Sequence, residues 1–289
     1  MQGFLLVDKP GGPTSHDVVD RVRRLTGIRK VGHAGTLDPM ATGLLVVAVG
    51  PVTRLISHIQ GAQKEYVADV RFGIATDTLD ADGVEVDRRP MVFAEADLVD
   101  VLGDFTGEIL QVPPMVSALK RDGVRLHELA RRGEEVDRPA RPVTVHSLVV
   151  EGFESGEFPT ARLRVVCGTG TYVRSLADDL AVALGGRAHL IGLRRVRIGA
   201  LSVDDAVALD DLTPGDVADH LVPPALALGG LPSVTVDGAS GGRVGDGRPL
   251  DRPEGLPDGP VRVLDADGRL LAVYRAEGRL LVPETVLPR

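Results

Sequence analysis

Residues 31–43, Val-Gly-His-Ala-Gly-Thr-Leu-Asp-Pro-Met-Ala-Thr-Gly, set one imidazole and one carboxylate, His33 and Asp38, among Gly32, Gly35, Pro39 and Gly43. The apolar run 44–49 follows at once, so the segment reads as a constrained loop feeding a buried strand. Rigid loops on packed scaffolds are where reactive side chains sit. An Asp-Pro taken alone is more often a plain turn whose carboxylate bonds nearby amides. The rest of the chain has to decide between these readings.

The chain has three tyrosines and no tryptophan, so stacking platforms are scarce. Tyr66 stands at a strand start after Lys64-Glu65, and Tyr172 at a helix start. A tyrosine there can offer its ring to a ligand and its hydroxyl to a hydrogen-bond partner. Plain half-burial is an equally common fate. Arg174 falls in the first turn of the Tyr172 helix, where the helix dipole disfavours a cation. The anion that offsets it is either Asp178, four residues on, or a carboxylate from another segment.

Several chemistries lack their signatures. There is no Gly-x-x-x-x-Gly-Lys-Ser/Thr, and no Gly-x-Gly-x-x-Gly follows the first strand. No Gly-x-Ser-x-Gly elbow occurs. Asp80-Ala81-Asp82-Gly83 hints at a calcium loop, but that register puts Thr78 and Arg89 where carboxylates are needed. His16, Asp17, His33 and Asp38 match no metal-ligand spacing. One cysteine, Cys167, rules out an internal disulfide framework and points to a reducing cytoplasm. The N-terminus has no basic n-region and too short an apolar run for a signal peptide. No apolar run approaches a membrane span.

The elements that must position these groups alternate strand and helix. Residues 3–8 read as a strand. A helix capped by Thr14 or Ser15 follows, with Val18, Val19, Val22 and Leu25 at core spacing and Gly27 closing it. A short helix is expected over 52–59, and a half-buried strand over 65–73. Residues 74–90 read as a polar loop, 95–103 as a helix, and 124–132 as a basic helix between Pro113-Pro114 and Pro139/Pro142. Strands return at 143–151 and 161–167, a helix follows Tyr172, and 188–200 is strand-like. Residues 203–228 read as helical and acidic. A boundary is expected near Gly229-Gly230-Leu231-Pro232. Beyond it, short strands at 233–236, 261–264, 269–275 and 279–282 alternate with Asp-Gly turns, as in a small all-β module.

Net charge is −8, yet its distribution is uneven. Residues 201–289 hold 8 Lys/Arg against 15 Asp/Glu, while residues 1–200 hold 25 against 26. Two stretches are basic with no acid: Arg21, Arg23, Arg24, Arg29 and Lys30, then Arg187, Arg194, Arg195 and Arg197 with His189. Local patches, not total charge, set the field a phosphate meets.

Six segments in order resemble one family. They are Val7-Asp8-Lys9-Pro10 with Thr14-Ser15-His16-Asp17, then residues 32–43, then Lys64-Glu65-Tyr66 with residues 76–83. Residues 112–120, Val-Pro-Pro-Met-Val-Ser-Ala-Leu-Lys, come next. Residues 168–176, Gly-Thr-Gly-Thr-Tyr-Val-Arg-Ser-Leu, and 189–195, His-Leu-Ile-Gly-Leu-Arg-Arg, complete the set. Together they are similar to the TruB-type tRNA pseudouridine synthases, which isomerise uridine 55 in the TΨC arm. The resemblance covers nearly the whole chain and is loosest at the C-terminus.

The resemblance implies an α+β fold with a mixed, largely antiparallel central sheet flanked by helices and loops. It implies a catalytic domain over 1–230 with an RNA-gripping insert at about 113–142, and a PUA-like β domain over 231–289. It implies an isomerase that uses no cofactor and no metal, binds the tRNA T-arm stem-loop, works as a monomer in the cytoplasm without a membrane, and assists tRNA folding. Asp38 becomes the catalytic carboxylate, held ionised by Arg174 with Asp80 in the same network, and Tyr66 stacks on the target uracil. His33, Tyr172, Leu193, Lys9 and Lys64 are implied on the substrate-binding side. A metal-dependent RNA hydrolase remains the competing class, separable by activity in EDTA.

Overall fold

The computed structural model describes residues 1–116, the backbone of 120–121 and 124–125, and residues 136–288. The chain divides into two compact units: Met1–Ala62 with Arg197–Arg289, and Gln63–Val196.

The first unit begins with β1 (Gly3–Lys9), α1 (Ser15–Thr26), β2 (Val31–His33) and β3 (Thr42–Val49). β3 is buried almost throughout, as its unbroken Leu/Val run predicts. It pairs antiparallel with β1 from Gly3↔Val49 to Lys9↔Gly43. That register brings the end of β1 beside the exit of the 31–43 loop. α1 opens on a capping box: Thr14 accepts from the Asp17 amide, and the Asp17 carboxylate accepts from the Thr14 amide. It ends on Gly27 at φ 67°, whose N–H donates to the Arg23 carbonyl. Val18, Val19 and Val22 form its buried stripe. A 3₁₀ turn, Gly50–Leu55, then leads into α2 (Ile56–Gln60).

The second unit follows with β4 (Lys64–Phe72), β5 (Ile74–Thr76), β6 (Glu85–Arg88), α3 (Glu95–Val101) and β7 (Gly107–Gln111). After the two-residue strands β8 (Lys120–Arg121) and β9 (Val124–Arg125) come β10 (Arg141–Glu154), β11 (Thr160–Cys167), α4 (Val173–Ala183) and β12 (Ala188–Ile198). The order in the sheet is β12-β4-β11-β10-β7. β4, β11, β10 and β7 pair antiparallel in turn. α4 buries Val173, Leu176, Ala177, Leu180 and Ala181.

The first unit resumes with β13 (Leu201–Ser202), β14 (Val207–Ala208), β15 (Leu221–Val222) and the single-turn α5 (Pro224–Ala227). β14 pairs parallel and β15 antiparallel with β1. The last segment contains β16 (Ser233–Thr235), α6 (Gly238–Gly245), β17 (Leu250–Asp251), β18 (Gly259–Leu264), β19 (Leu270–Glu277) and β20 (Leu280–Val286). These strands form a sheet ordered β16-β18-β19-β20-β17 over a core of Val244, Val261, Val263, Tyr274 and Leu281. Leu270 and Val273 join the core formed by Phe4, Leu6, Val46, Val52 and Leu55. The class is α+β with mixed, largely antiparallel sheets and a small C-terminal β module, as expected.

Four local expectations need correction. The 74–90 loop contains the β5–β6 hairpin, paired from Ile74↔Arg88. Residues 203–228 are not a helix. Prolines and Asp-led turns break them into 3₁₀ turns, two-residue strands and α5. Val124 and Arg125 pair with Arg121 and Lys120, so no helix begins at 124; residues 126–132 lie outside the described residues. The C-terminal module carries a helix, Gly-Ala-Ser-Gly-Gly-Arg-Val-Gly, whose glycines hide it from propensity but whose Asp237 accepts from the Ser240 amide. No described helix is long and apolar enough to cross a membrane.

Candidate active site

The Asp38 loop is built from backbone bonds before any reactive group is considered. The Ala41 amide donates to the Asp38 carbonyl at 3.1 Å, closing a tight turn. The Pro39 carbonyl accepts from the Gly12 amide at 2.8 Å and from Lys9 Nζ at 3.1 Å. Ser15 Oγ accepts from the Leu37 amide at 2.8 Å and donates to the Leu37 carbonyl at 3.1 Å. Gly35 and Gly43 sit at φ 116° and 96°, where an L side chain is strained. Asp38 itself is half-buried. His33 lies at the end of β2 opposite Val47, its ring edge-on to His16 with centroids 5.7 Å apart.

Lys9 does not present itself to solvent. It is fully buried, and its ammonium donates to the carbonyls of Pro10, Pro13 and Pro39 at 2.8, 2.8 and 3.1 Å. A buried ammonium needs such acceptors. The expectation that Lys9 touches substrate is therefore revised: it ties the 10–13 turn to the Asp38 loop.

The second unit holds a charged cluster on the first turn of α4. Arg174 is buried and lies 3.3 Å from Asp80, whose side chain is only 7% exposed. Its two terminal nitrogens also donate to the Thr78 carbonyl at 2.7 Å and the Val116 carbonyl at 2.8 Å. The anion that offsets Arg174 on its helix thus comes from another segment. Asp178 instead makes a fork with Arg187, with both bonds at 2.8 Å. Asp80 is shaped by its own loop: Thr78 Oγ1 donates to its carboxylate at 2.6 Å and the Asp82 amide at 3.2 Å. Leu79 between them stands at φ 63°, a conformation that costs a non-glycine residue about 1–3 kcal/mol. The Leu79 carbonyl is held by the Leu190 amide at 3.1 Å, and Asp80 bridges Leu190.

The remaining groups line the same unit. Tyr66 is half-buried on β4 opposite Val165. Tyr172 is the N-cap residue of α4 and half-buried. The Gln111 side chain grips its main chain, accepting from its amide at 2.7 Å and donating to its carbonyl at 3.0 Å. Lys64 is buried and donates to Thr169 Oγ1 at 3.0 Å. Burial first, and Arg195 second, lower its ammonium pKa. Leu193 is half-buried on β12. Burial pushes the Cys167 thiol up to about 11, so it stays protonated at neutral pH. No group of His, Cys, Asp and Glu suited to a metal occurs among the described residues.

Of the expected site residues, Asp38, His33 and Lys9 belong to the first unit, and Tyr66, Asp80, Tyr172, Arg174, Leu193 and Lys64 to the second. Asp80 and Arg174 meet directly. The 187–197 patch is less basic at the surface than its sequence suggests: Arg195 is 1% exposed and Arg187 is paired with Asp178. Arg24, Arg29 and Lys30 of the earlier patch are exposed. Ser15 and Gln111 were not anticipated as parts of the site. Both reach backbone groups distant in sequence, which no local pattern reveals.

Residues 23–173 match the family model described as TruB family pseudouridylate synthase, N-terminal domain. Residues 231–288 match the one described as tRNA pseudouridine synthase II, C-terminal. The chain belongs to the TruB family of pseudouridylate synthases. Its TruB relatives include a tRNA pseudouridine synthase B of Burkholderia pseudomallei (strain 668), 43% identical over 99% of this chain and 97% of that protein. Another, from Aromatoleum aromaticum, is 46% identical over 96% and 90%. Among solved structures, that of an H/ACA RNP bound to a substrate RNA containing 2′-deoxyuridine aligns with TM-score 0.76 and 26% identity, over 99% of this chain and 85% of the other. Membership of the TruB family makes the chain an isomerase, and the Asp38 loop and the Arg174–Asp80 pair lie within the matched 23–173 region or at its edge.

Proposed function

We propose that this TruB-family pseudouridine synthase converts uridine 55 in the TΨC loop of tRNA to pseudouridine, with Asp38 as its catalytic carboxylate. The conversion breaks the bond from N1 to C1′, turns the uracil, joins C5 to C1′ and moves the C5 proton to solvent while N1 regains one. Substrate and product are isomers, so no redox partner is consumed. Asp38 serves by adding to C1′ as the base leaves or by drawing off the C2′ proton; both routes require its ionised form.

The observation that carries the reading is the Asp38 loop: a half-buried carboxylate whose flanking residues, Leu37 and Pro39, are each fastened by two hydrogen bonds. Preorganisation of this kind is what an oriented nucleophile needs. Arg174, Asp80 and Tyr66 complete the proposed catalytic set, and His33, Tyr172, Leu193 and Lys64 the proposed RNA-facing set. The Arg174–Asp80 pair supports the role of Arg174, since a guanidinium buried and triply bonded is fixed in place before substrate arrives.

A base inside a folded loop must be flipped out, at a cost of a few kcal/mol met by recognition of the surrounding loop. The proposed division of labour keeps catalysis within 1–230, RNA gripping with about 113–142, and further RNA contact with 231–289. The enzyme acts as a cytoplasmic monomer that also helps tRNA fold, and this second activity needs no Asp38. The test is to map pseudouridine in a T-arm stem-loop and in full tRNA after incubation with the purified protein. Pseudouridine confined to position 55 is the expected result. Modification at another position, or activity abolished by EDTA, would contradict the reading.

A further inference from the structure

We propose that Ser15 is a positioning residue for Asp38, acting through the Leu37 backbone; the inference rests on Asp38 being the catalytic carboxylate. Ser15 occupies the first position of α1 and is 2% exposed. Its hydroxyl has no part in capping that helix. Thr14 and Asp17 do so by themselves, and the Thr14 hydroxyl donates to Asp17 at 2.7 Å. The Ser15 hydroxyl instead reaches 22 residues along the chain to Leu37. It accepts from that residue's amide at 2.8 Å and donates to its carbonyl at 3.1 Å.

Those two groups belong to the two peptide planes that bracket Leu37. The carbonyl is half of the peptide bond that leads into Asp38. Rotation about the Leu37 backbone would swing the Asp38 Cα, and with it the carboxylate. One hydroxyl bonded to both planes opposes that rotation. Leu37 is 3% exposed, so water cannot take over either bond without opening the loop. On the far side of Asp38 the Pro39 carbonyl is already held by Gly12 and Lys9. Ser15 thus fastens the residue before Asp38 as Gly12 and Lys9 fasten the residue after it.

The same contacts would exist in a purely structural clip, so the test must separate placement from folding. Single-turnover pseudouridine formation, tRNA affinity and thermal unfolding are measured for wild type, Ser15→Ala, Ser15→Thr and Ser15→Cys, with Asp38→Asn as reference. The proposal expects Ser15→Ala to lose about tenfold or more in the chemical rate. It expects tRNA Kd to stay within about threefold, because no RNA-facing group changes. Ser15→Thr keeps the hydroxyl and should recover most of the rate. If Ser15→Ala does not fold, Ser15→Cys decides, with a slightly larger thiol that bonds only weakly and a rate expected to fall with Kd unchanged. A folded Ser15→Ala or Ser15→Cys with the wild-type chemical rate would overturn the proposal. So would a loss that vanishes when the assay is run well below the variant's Tm. An active Asp38→Asn would instead sink the underlying reading, whatever Ser15 does.

Discussion

Arg174 shows how one buried side chain can join three separate segments. Its planar fork meets Asp80, Thr78 and Val116 from two nitrogens, a geometry that a lysine ammonium cannot reproduce. Replacing Asp80 by Asn removes the carboxylate from a buried pair, and urea unfolding should show a loss on the order of 3 kcal/mol. Asp179 offers a pH-dependent counterpart on the same helix. Burial first, and neighbouring Asp178 second, push its carboxyl from 3.8 up to about 6, against the pull of Arg187. A folded-state value above the unfolded one means the native protein holds this proton more tightly. Stability therefore declines as pH rises from about 4 to 6, and the full penalty persists above that window. Asp179→Asn should raise stability by about 1–2 kcal/mol at neutral pH, with the gain shrinking towards zero near pH 4. A gain independent of pH would show that burial of the charge is not its source.

Among elements, the end of β7 and the start of α4 are held together by side chains. Gln111 closes β7 and grips Tyr172, while Ser175 Oγ donates to the Val112 carbonyl at 3.0 Å. Gln111→Leu should therefore cost about 1–3 kcal/mol through two unpaired backbone groups. It should also slow pseudouridine formation more than the similarly sized Gln111→Glu does. The turn before β6 has a stricter requirement: a Cβ on Gly83 would collide with Thr78 Oγ1 and Asp77 Oδ1, so Gly83→Ala should disturb Asp80 as well. Most of the elements were legible in the sequence. β1, β3 and β4 announce themselves by apolar runs or alternation, and α1 by its cap, valine spacing and Gly27. The 31–43 loop and the strand after it were legible from the glycines and the apolar run, but Asp38 was singled out only through the resemblance, because an isolated Asp-Pro favours a plain turn. The β5–β6 hairpin was not visible, since its residues alternate too weakly and its register depends on the closed 77–83 turn. α6 was obscured by its glycines. Ser15 and Gln111 escaped notice because each bonds to a residue 22 or 61 positions away.

At the scale of the whole molecule, charge placement matters more than net charge. The chain carries −8 overall, yet Arg24, Arg29 and Lys30 are exposed and lie in the acid-free stretch 21–30. If such cations grip phosphates, tRNA affinity should fall steeply with salt, and each removed contact should reduce the slope by about one unit. A triple substitution of these residues that leaves the salt slope unchanged would locate the RNA contacts elsewhere. Asp38 is the residue on which the proposed chemistry rests. The most direct measurement is single-turnover formation of pseudouridine at position 55 of tRNA by wild type and Asp38→Asn, alongside tRNA Kd. No detectable product is expected from Asp38→Asn, with tRNA binding retained within about threefold. Product formed by Asp38→Asn at a rate near wild type would contradict it.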